Sequence, residues 1–101
     1  MSLSAAQKES TRREFAENFE RLGIGPDKVA SALGVGERRV EDVMRLRNVR
    51  CLEDAWVLKR YLELEAERQG VELVPFTALV GDPADYWFLD AGRVRSMVMD
   101  A

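Results

Sequence analysis

The residues from Pro26 to Arg45 combine small and apolar side chains in a spacing that strongly restricts the local fold. Ala30 is a small residue in the middle of a short predicted helix, and Gly34 follows four residues later. A small residue lets a second helix cross closely, and glycine readily adopts the left-handed backbone of a tight turn. The apolar positions that hold such a pair together are filled by Val29, Leu33, Val35, Val40 and Val43. This pattern predicts a helix-turn-helix over residues 26–45.

The second helix of a helix-turn-helix can enter the major groove of DNA with its outward, N-terminal residues against the base edges. Arg38 can donate two hydrogen bonds to a guanine, and Glu37 can accept one from a cytosine. Glu41 and Asp42 share this predicted face, where phosphates would repel their carboxylates unless a cation neutralises each one. Residues four apart are neighbours on a helix, so Arg38 can pair with Asp42. By the same spacing, Glu41 can pair with Arg45.

Three arginines, Arg45, Arg47 and Arg50, follow the second helix closely in sequence. They can contact the phosphates of a nucleic acid, which would make binding depend on salt concentration. Alternatively, they are solvated surface residues, some of them paired with Glu53 or Asp54. The candidate DNA-binding residues are therefore Glu37, Arg38, Arg39, Glu41, Asp42, Arg45, Arg47 and Arg50.

Four helices are predicted, over residues 4–22, 26–33, 37–46 and 53–69, which places the chain in the all-α class. Ser4 and Gln7 have the spacing of a capping box, and Pro26 suits the first position of a helix. Gly36 is a weaker cap for the third helix than serine or threonine would be. The predicted apolar stripes consist of Phe15, Phe19 and Leu22 in the first helix, and of Val57, Leu58, Tyr61, Leu62 and Leu64 in the fourth.

Residues 71–101 are predicted to be an irregular, aromatic C-terminal extension that packs on the helical residues 1–70 as part of the same domain. Residues 71–76 alternate between apolar and polar like a strand, but Pro75 restricts them to an edge strand or an extended arm. Trp56, early in the fourth helix, is expected in the core. The aromatic residues of the extension either cover the core or form a dimer surface or ligand pocket; they are Phe76, Tyr86, Trp87 and Phe88.

The chain contains no histidine and a single cysteine, Cys51. These counts exclude catalytic triads that need histidine, zinc sites that need histidine and an internal disulfide. Neither an enzymatic activity nor a metal or cofactor is expected, and Asp82, Asp85 and Asp90 lack the spacing of a calcium loop. No segment approaches the ~20 apolar residues of a membrane span, and the N-terminus lacks a signal-peptide pattern. We therefore expect a cytoplasmic protein without a membrane partner.

Charge is distributed unevenly along this chain of net charge −3. Residues 26–52 contain six basic and four acidic residues, whereas residues 53–101 contain five basic and ten acidic residues. A basic middle section in an acidic chain is typical of a protein that meets an anion with one face only.

Several strings of residues resemble a family of short bacterial proteins of unknown function, over nearly the whole chain. The strings are residues 11–19, 29–34, 53–58, 75–79 and 85–90, the last of which reads Asp85-Tyr86-Trp87-Phe88-Leu89-Asp90. The resemblance implies a bacterial cytosolic protein with a repressor-like helical core, and it implies no activity or site residues. More distantly, residues 26–45 resemble the DNA-binding unit of phage-repressor-type regulators, from which they differ in the acidic second helix and the Gly36 cap.

The sequence is therefore compatible with two functions. The first is a small DNA-binding transcriptional regulator, expected to be a homodimer so that two helices meet two half-sites of double-stranded DNA. The alternative is a protein-interaction module that uses the helix-turn-helix scaffold without binding DNA. DNA binding predicts a continuous positive surface beside the third helix, formed by Arg38, Arg39, Arg45, Arg47 and Arg50. Docking predicts instead an occluded or negative third helix and an exposed apolar patch elsewhere.

Overall fold

The computed structural model describes residues 3–47 and 52–80, together with Gly92. Within these residues it contains four α-helices and no β-strand: α1 (Ala5–Leu22), α2 (Pro26–Leu33), α3 (Glu37–Met44) and α4 (Glu53–Gln69). The predicted all-α class is confirmed for this part of the chain. None of these helices is both long enough and apolar enough to cross a membrane.

The predicted capping box holds the N-terminal end of α1. Ser4 Oγ accepts a hydrogen bond from the Gln7 backbone N–H at 3.1 Å, and the Ser4 N–H donates to Gln7 Oε1 at 2.8 Å. These reciprocal bonds satisfy backbone donors that the helix itself leaves without acceptors. The inner side of α1 carries the predicted apolar residues Phe15, Phe19 and Leu22, and all three are buried.

A tight turn joins α2 to α3. The small Ala30 is buried, and Gly34 has the left-handed φ of +70° that the turn requires. The Val35 N–H then donates to the Ala30 carbonyl at 3.1 Å, which closes the end of α2. Gly36 caps α3 without a side-chain hydrogen bond, as expected for glycine at this position. Residues 26–45 therefore form two separate short helices.

The third helix ends at Met44, two residues before the predicted end at Leu46. Leu46 has a left-handed φ of +53°, and its N–H donates to the Val43 carbonyl at 3.1 Å. The Arg47 N–H donates to the Asp42 carbonyl at 2.7 Å, which completes a left-handed helix cap. The apolar character of Leu46 suggested a longer helix, but this partly buried residue packs against the core after the chain has turned.

The central helix of the fold is α4, because the five consecutive residues 54–58 are all buried. A helix at the surface would expose at least one residue in each turn. Trp56 belongs to this buried set, as predicted. The predicted apolar stripe of α4 includes Leu64, but this residue is 39% exposed, so the prediction is wrong at this position. Leu58, Leu62 and Ala66 are buried and spaced four apart, so the buried stripe runs along a side of α4 that Leu64 does not share.

Residues 71–80 pack beside α1 and α4, and polar side chains of α1 hold the backbone of residues 72–77. Asn18 Nδ2 donates to the Val74 carbonyl at 3.0 Å, and the Val74 N–H donates to Asn18 Oδ1 at 2.7 Å. Arg21 Nη1 donates to the Glu72 carbonyl at 3.0 Å. Residues 71–80 contain no strand, and they form an arm whose hydrogen-bond partners come from a helix instead of a neighbouring strand.

The end of this arm covers the core. Phe76 and Leu79 are both buried, and the Phe76 ring meets the Phe15 ring edge to face with centroids 5.2 Å apart. Lys59 Nζ lies 5.2 Å from the Trp56 ring centroid and 5.9 Å from that of Phe76, so a cation contacts both aromatic faces. Phe76 thus has the expected covering role. Cys51 and the residues Tyr86, Trp87, Phe88, Asp82, Asp85 and Asp90 lie outside the described part of the chain.

Glu65 of α4 forms a small polar network that reaches α2. Its carboxylate accepts hydrogen bonds from Arg68, from Gln69 at 3.1 Å and from Lys28 Nζ of α2 at 3.0 Å. These bonds, the one from Arg68 first, lower the pKa of Glu65 from 4.5 to about 2. Lys28 and Glu65 therefore link α2 to the central helix through a carboxylate that stays ionised in mildly acidic solution.

Glu65→Gln is expected to lower the thermal midpoint at neutral pH and to have less effect in acid. Because folding lowers the pKa of Glu65, the ionised carboxylate stabilises the fold fully above pH 4.5. That contribution is lost as the pH falls from 4.5 towards 2. The measurement is the difference in thermal midpoint between Glu65→Gln and the parent protein from pH 7 to pH 2. A difference that stays constant over this range would contradict the assignment.

Candidate nucleic-acid interface

The two sides of α3 differ sharply in burial. Val40 and Val43 are fully buried on the inner side, where α3 packs against α2 and α4. Glu37 and Arg38 are exposed at the first turn. Val40 and Val43 are three apart in sequence, so they share the inner side of the helix. The first turn of α3 is thus presented at the surface, and no residue of the described arm 71–80 covers it.

Arg38 does not form the predicted ion pair with Asp42. Asp42 is buried and pairs instead with Arg47, whose Nε and Nη2 both lie 3.0 Å from Asp42 Oδ1. The left-handed Leu46 turns the chain so that Arg47 returns to the end of α3. In the ranges 3–47 and 52–80, Arg38 has no carboxylate partner, so its guanidinium donors remain available to a ligand.

Arg39 points away from the exposed side of α3. It forms an ion pair and hydrogen bond with Asp54 in the first turn of α4. The Asp54 side chain is completely buried and the Arg39 side chain is 14% exposed. This contact links α3 to α4 across the interior, so it gives Arg39 a structural role that the sequence does not reveal.

Glu41 and Arg45 do not form the second predicted ion pair within the described ranges. Glu41 is partly buried, whereas Arg45 is exposed just beyond the end of α3. The Arg45 carbonyl accepts a hydrogen bond from Arg12 Nη1 of α1 at 3.4 Å. Arg12 is therefore a neighbour of the candidate site that the local sequence pattern could not reveal, because 33 residues separate it from Arg45.

The outward side of α3 is less positive than the number of arginines in this section suggests. Arg39 and Arg47 are each engaged by a carboxylate, and Arg50 lies outside the described residues. Arg38 and Arg45 remain, and the carboxylates of Glu37 and Glu41 balance them in number. The continuous positive surface predicted from five arginines is therefore interrupted by these ion pairs.

The described residues offer no group of three acidic, cysteine or histidine side chains that could hold a metal ion. A groove beside α4 is lined by apolar residues of the arm, among them Val71, Leu73 and Phe76. A second groove, between α1 and the arm, is lined by Arg13, Arg21 and Pro75. Neither groove adjoins the first turn of α3, so neither contributes to the candidate interface.

Comparison with family models gives a match over residues 1–90 to the family described as "Uncharacterized protein conserved in bacteria (DUF2316)". The chain belongs to this family. The resemblance to short bacterial proteins of unknown function is thereby confirmed. No curated protein and no solved structure matches the chain. The description of this family assigns no function and no residue roles.

Proposed function

We propose that this member of the DUF2316 family binds double-stranded DNA through a repressor-like helix-turn-helix formed by α2 and α3, and that it acts as a transcriptional regulator. The observation that carries the proposal is the exposed first turn of α3, anchored from behind by the buried Val40 and Val43. The buried Ala30 and the left-handed Gly34 supply the close crossing and tight turn that such a unit needs.

In this proposal, Arg38 reads the DNA sequence. It is exposed at the start of α3, and its fork of donors matches the two acceptors of a guanine in the major groove. Glu37 lies beside it and can accept a hydrogen bond from the amino group of a cytosine. A carboxylate in the major groove favours cytosine, which presents an amino group, over bases whose edge presents only hydrogen-bond acceptors. The same carboxylate weakens non-specific binding, because phosphates repel it.

The contacts to phosphates come from the residues that follow α3. Arg45 is exposed, and half of the Arg47 side chain is accessible although it pairs with Asp42. Arg50 belongs to this proposed set by its position in the sequence. Contacts of this kind position the protein without reading bases. Because a single small unit makes few of them, the proposal includes a homodimer that spans two half-sites.

A second candidate function is docking to a protein partner on the helix-turn-helix scaffold, without DNA binding. The observation that favours it is the equal number of acids and bases on the outward side of α3, which gives no net attraction to DNA. A salt titration of binding to random-sequence duplex DNA separates the two functions. DNA binding requires affinity to fall with increasing salt, because phosphate contacts release counterions. Absence of binding at low salt would leave docking as the remaining candidate.

Replacing both Arg38 and Arg47 by alanine is expected to weaken duplex binding at low salt. Loss of a bidentate base contact by Arg38 costs about 1–3 kcal/mol, or about 5- to 150-fold in affinity for the preferred site. Loss of a phosphate contact by Arg47 lowers the salt slope by about 1. The measurement is fluorescence anisotropy with a duplex obtained by selection. Arg60→Ala on the exposed side of α4 is the matched control, and equal losses in both variants would contradict the assigned interface.

A further inference from the structure

The C-terminal end of α3 brings together arginines from two helical elements. Arg12 of α1 donates from Nη1 to the Arg45 carbonyl at 3.4 Å and from Nη2 to Glu9 Oε2 at 3.2 Å. Arg45 and Arg47 follow α3 directly, and both are exposed. The guanidinium of Arg12 therefore lies at the end of the helix that we assign to the major groove, where the chain also carries Arg45 and Arg47.

Arg12 keeps donors for a further ligand. A guanidinium has five N–H donors, and the two bonds to Arg45 and Glu9 use two of them. The side chain is 38% exposed, so the remaining donors are accessible to an anion. The bond to the Arg45 carbonyl also holds the side chain in place, which reduces the entropy lost when an oxyanion binds.

We propose that Arg12 contacts a DNA phosphate at the C-terminal end of α3, together with Arg45 and Arg47. This inference rests on the proposed DNA binding, and it adds α1 to the surface that meets the duplex. The residues that flank a recognition helix commonly hold the backbone on either side of the groove. Arg12 is held beside this helix end by a contact that spans 33 residues, so only the fold places it there.

The test is a salt titration of binding to a random-sequence 20-base-pair duplex, with the parent protein and the variants Arg12→Gln, Arg12→Lys and Arg13→Gln. The control residue Arg13 is an exposed neighbour on α1, but it lies on the side that faces Pro75 and Thr77. Arg12→Gln is expected to reduce the magnitude of the slope of log affinity against log salt by about 0.9. Between 50 and 200 mM salt, its loss of affinity is then about 3.5-fold smaller than that of the parent.

Arg12→Lys keeps the charge and is expected to retain the parent slope, as is Arg13→Gln. A purely structural role of Arg12 would lower stability without changing the slope. An unchanged slope in Arg12→Gln, or an equal reduction in Arg13→Gln, overturns the inference while the proposed function stands. A parent protein without salt-dependent binding overturns both.

A second measurement uses the parent chain alone, so it does not depend on how the variants fold. Addition of the duplex is expected to shift the NMR signal of the Arg12 side-chain Nε–H group and to leave that of Arg13 in place. Shifts in neither signal, or equal shifts in both, count against a phosphate contact by Arg12.

Discussion

Replacing Asp54 by alanine is expected to lower the free energy of unfolding by about 3–5 kcal/mol, a large part of the stability of a domain of this size. Asp54 is completely buried, and its partner Arg39 is largely so. Removing the carboxylate leaves the guanidinium of Arg39 between α3 and α4 without this neutralising charge. Asp54 also lies in the first turn of α4, where the helix dipole favours an acid. Urea unfolding at neutral pH measures the loss.

The matched control removes both members of the pair. Arg39→Met with Asp54→Leu keeps the net charge and fills the same space with apolar groups, so stability is expected to stay near that of the parent. This double variant also tests whether Arg39 contacts DNA. If Arg39 acts only between the helices, the double variant binds duplex DNA as the parent does. A loss of less than about 1 kcal/mol in Asp54→Ala would show that the ion pair is not required.

Asn18→Asp is expected to destabilise the fold by about 3 kcal/mol at neutral pH. The Asn18 amide donates to the Val74 carbonyl and accepts from the Val74 N–H, and the Asn18 side chain is fully buried. A carboxylate can still accept from the N–H, but it has no proton to offer the carbonyl. The carbonyl then faces a negative charge in place of a donor, which detaches the arm from α1.

The same variant is expected to recover in acid. Protonated aspartic acid donates and accepts at this position much as asparagine does, so the folded state favours the protonated form and raises the pKa of the new carboxyl. The protonated carboxyl therefore stabilises the fold at low pH, and this stabilisation is lost as the pH rises through its pKa. The measurement is the difference in thermal midpoint between Asn18→Asp and the parent as a function of pH. Asn18→Leu loses both hydrogen bonds without adding a titrating group, so its difference should not depend on pH.

The hydrogen-bond partners of the arm could not be predicted from the sequence pattern. Residues 71–76 alternate between apolar and polar as a strand does, but the structure has no strand there. Alternation cannot say what satisfies the backbone hydrogen bonds, because that depends on the neighbour. The neighbour is α1, which presents Glu14 to Thr77 and Asn18 to Val74. These partners are 56 or more residues apart, and no local rule connects them.

The ion pairs of the candidate interface could not be predicted from the sequence pattern either. Arg38 and Arg39 are identical neighbours in sequence, yet one is exposed and the other forms an ion pair with Asp54. The i, i+4 rule correctly names residues that are close enough to interact, but it does not account for competing partners. Asp42 pairs with such a competitor, Arg47, because the left-handed Leu46 turns the chain back towards the end of α3.

The sequence alone determined the class of fold, the starts of the four helices, the turn at Gly34 and most of the buried apolar residues. It could do so because capping, helical period and backbone freedom act over a few neighbouring residues. The tertiary structure decided the partners of Arg39, Asp42 and Asn18, the exposure of Leu64 and the place of Arg12 beside α3. These features depend on which surfaces meet when the helices pack, and those contacts join residues that are far apart in the sequence.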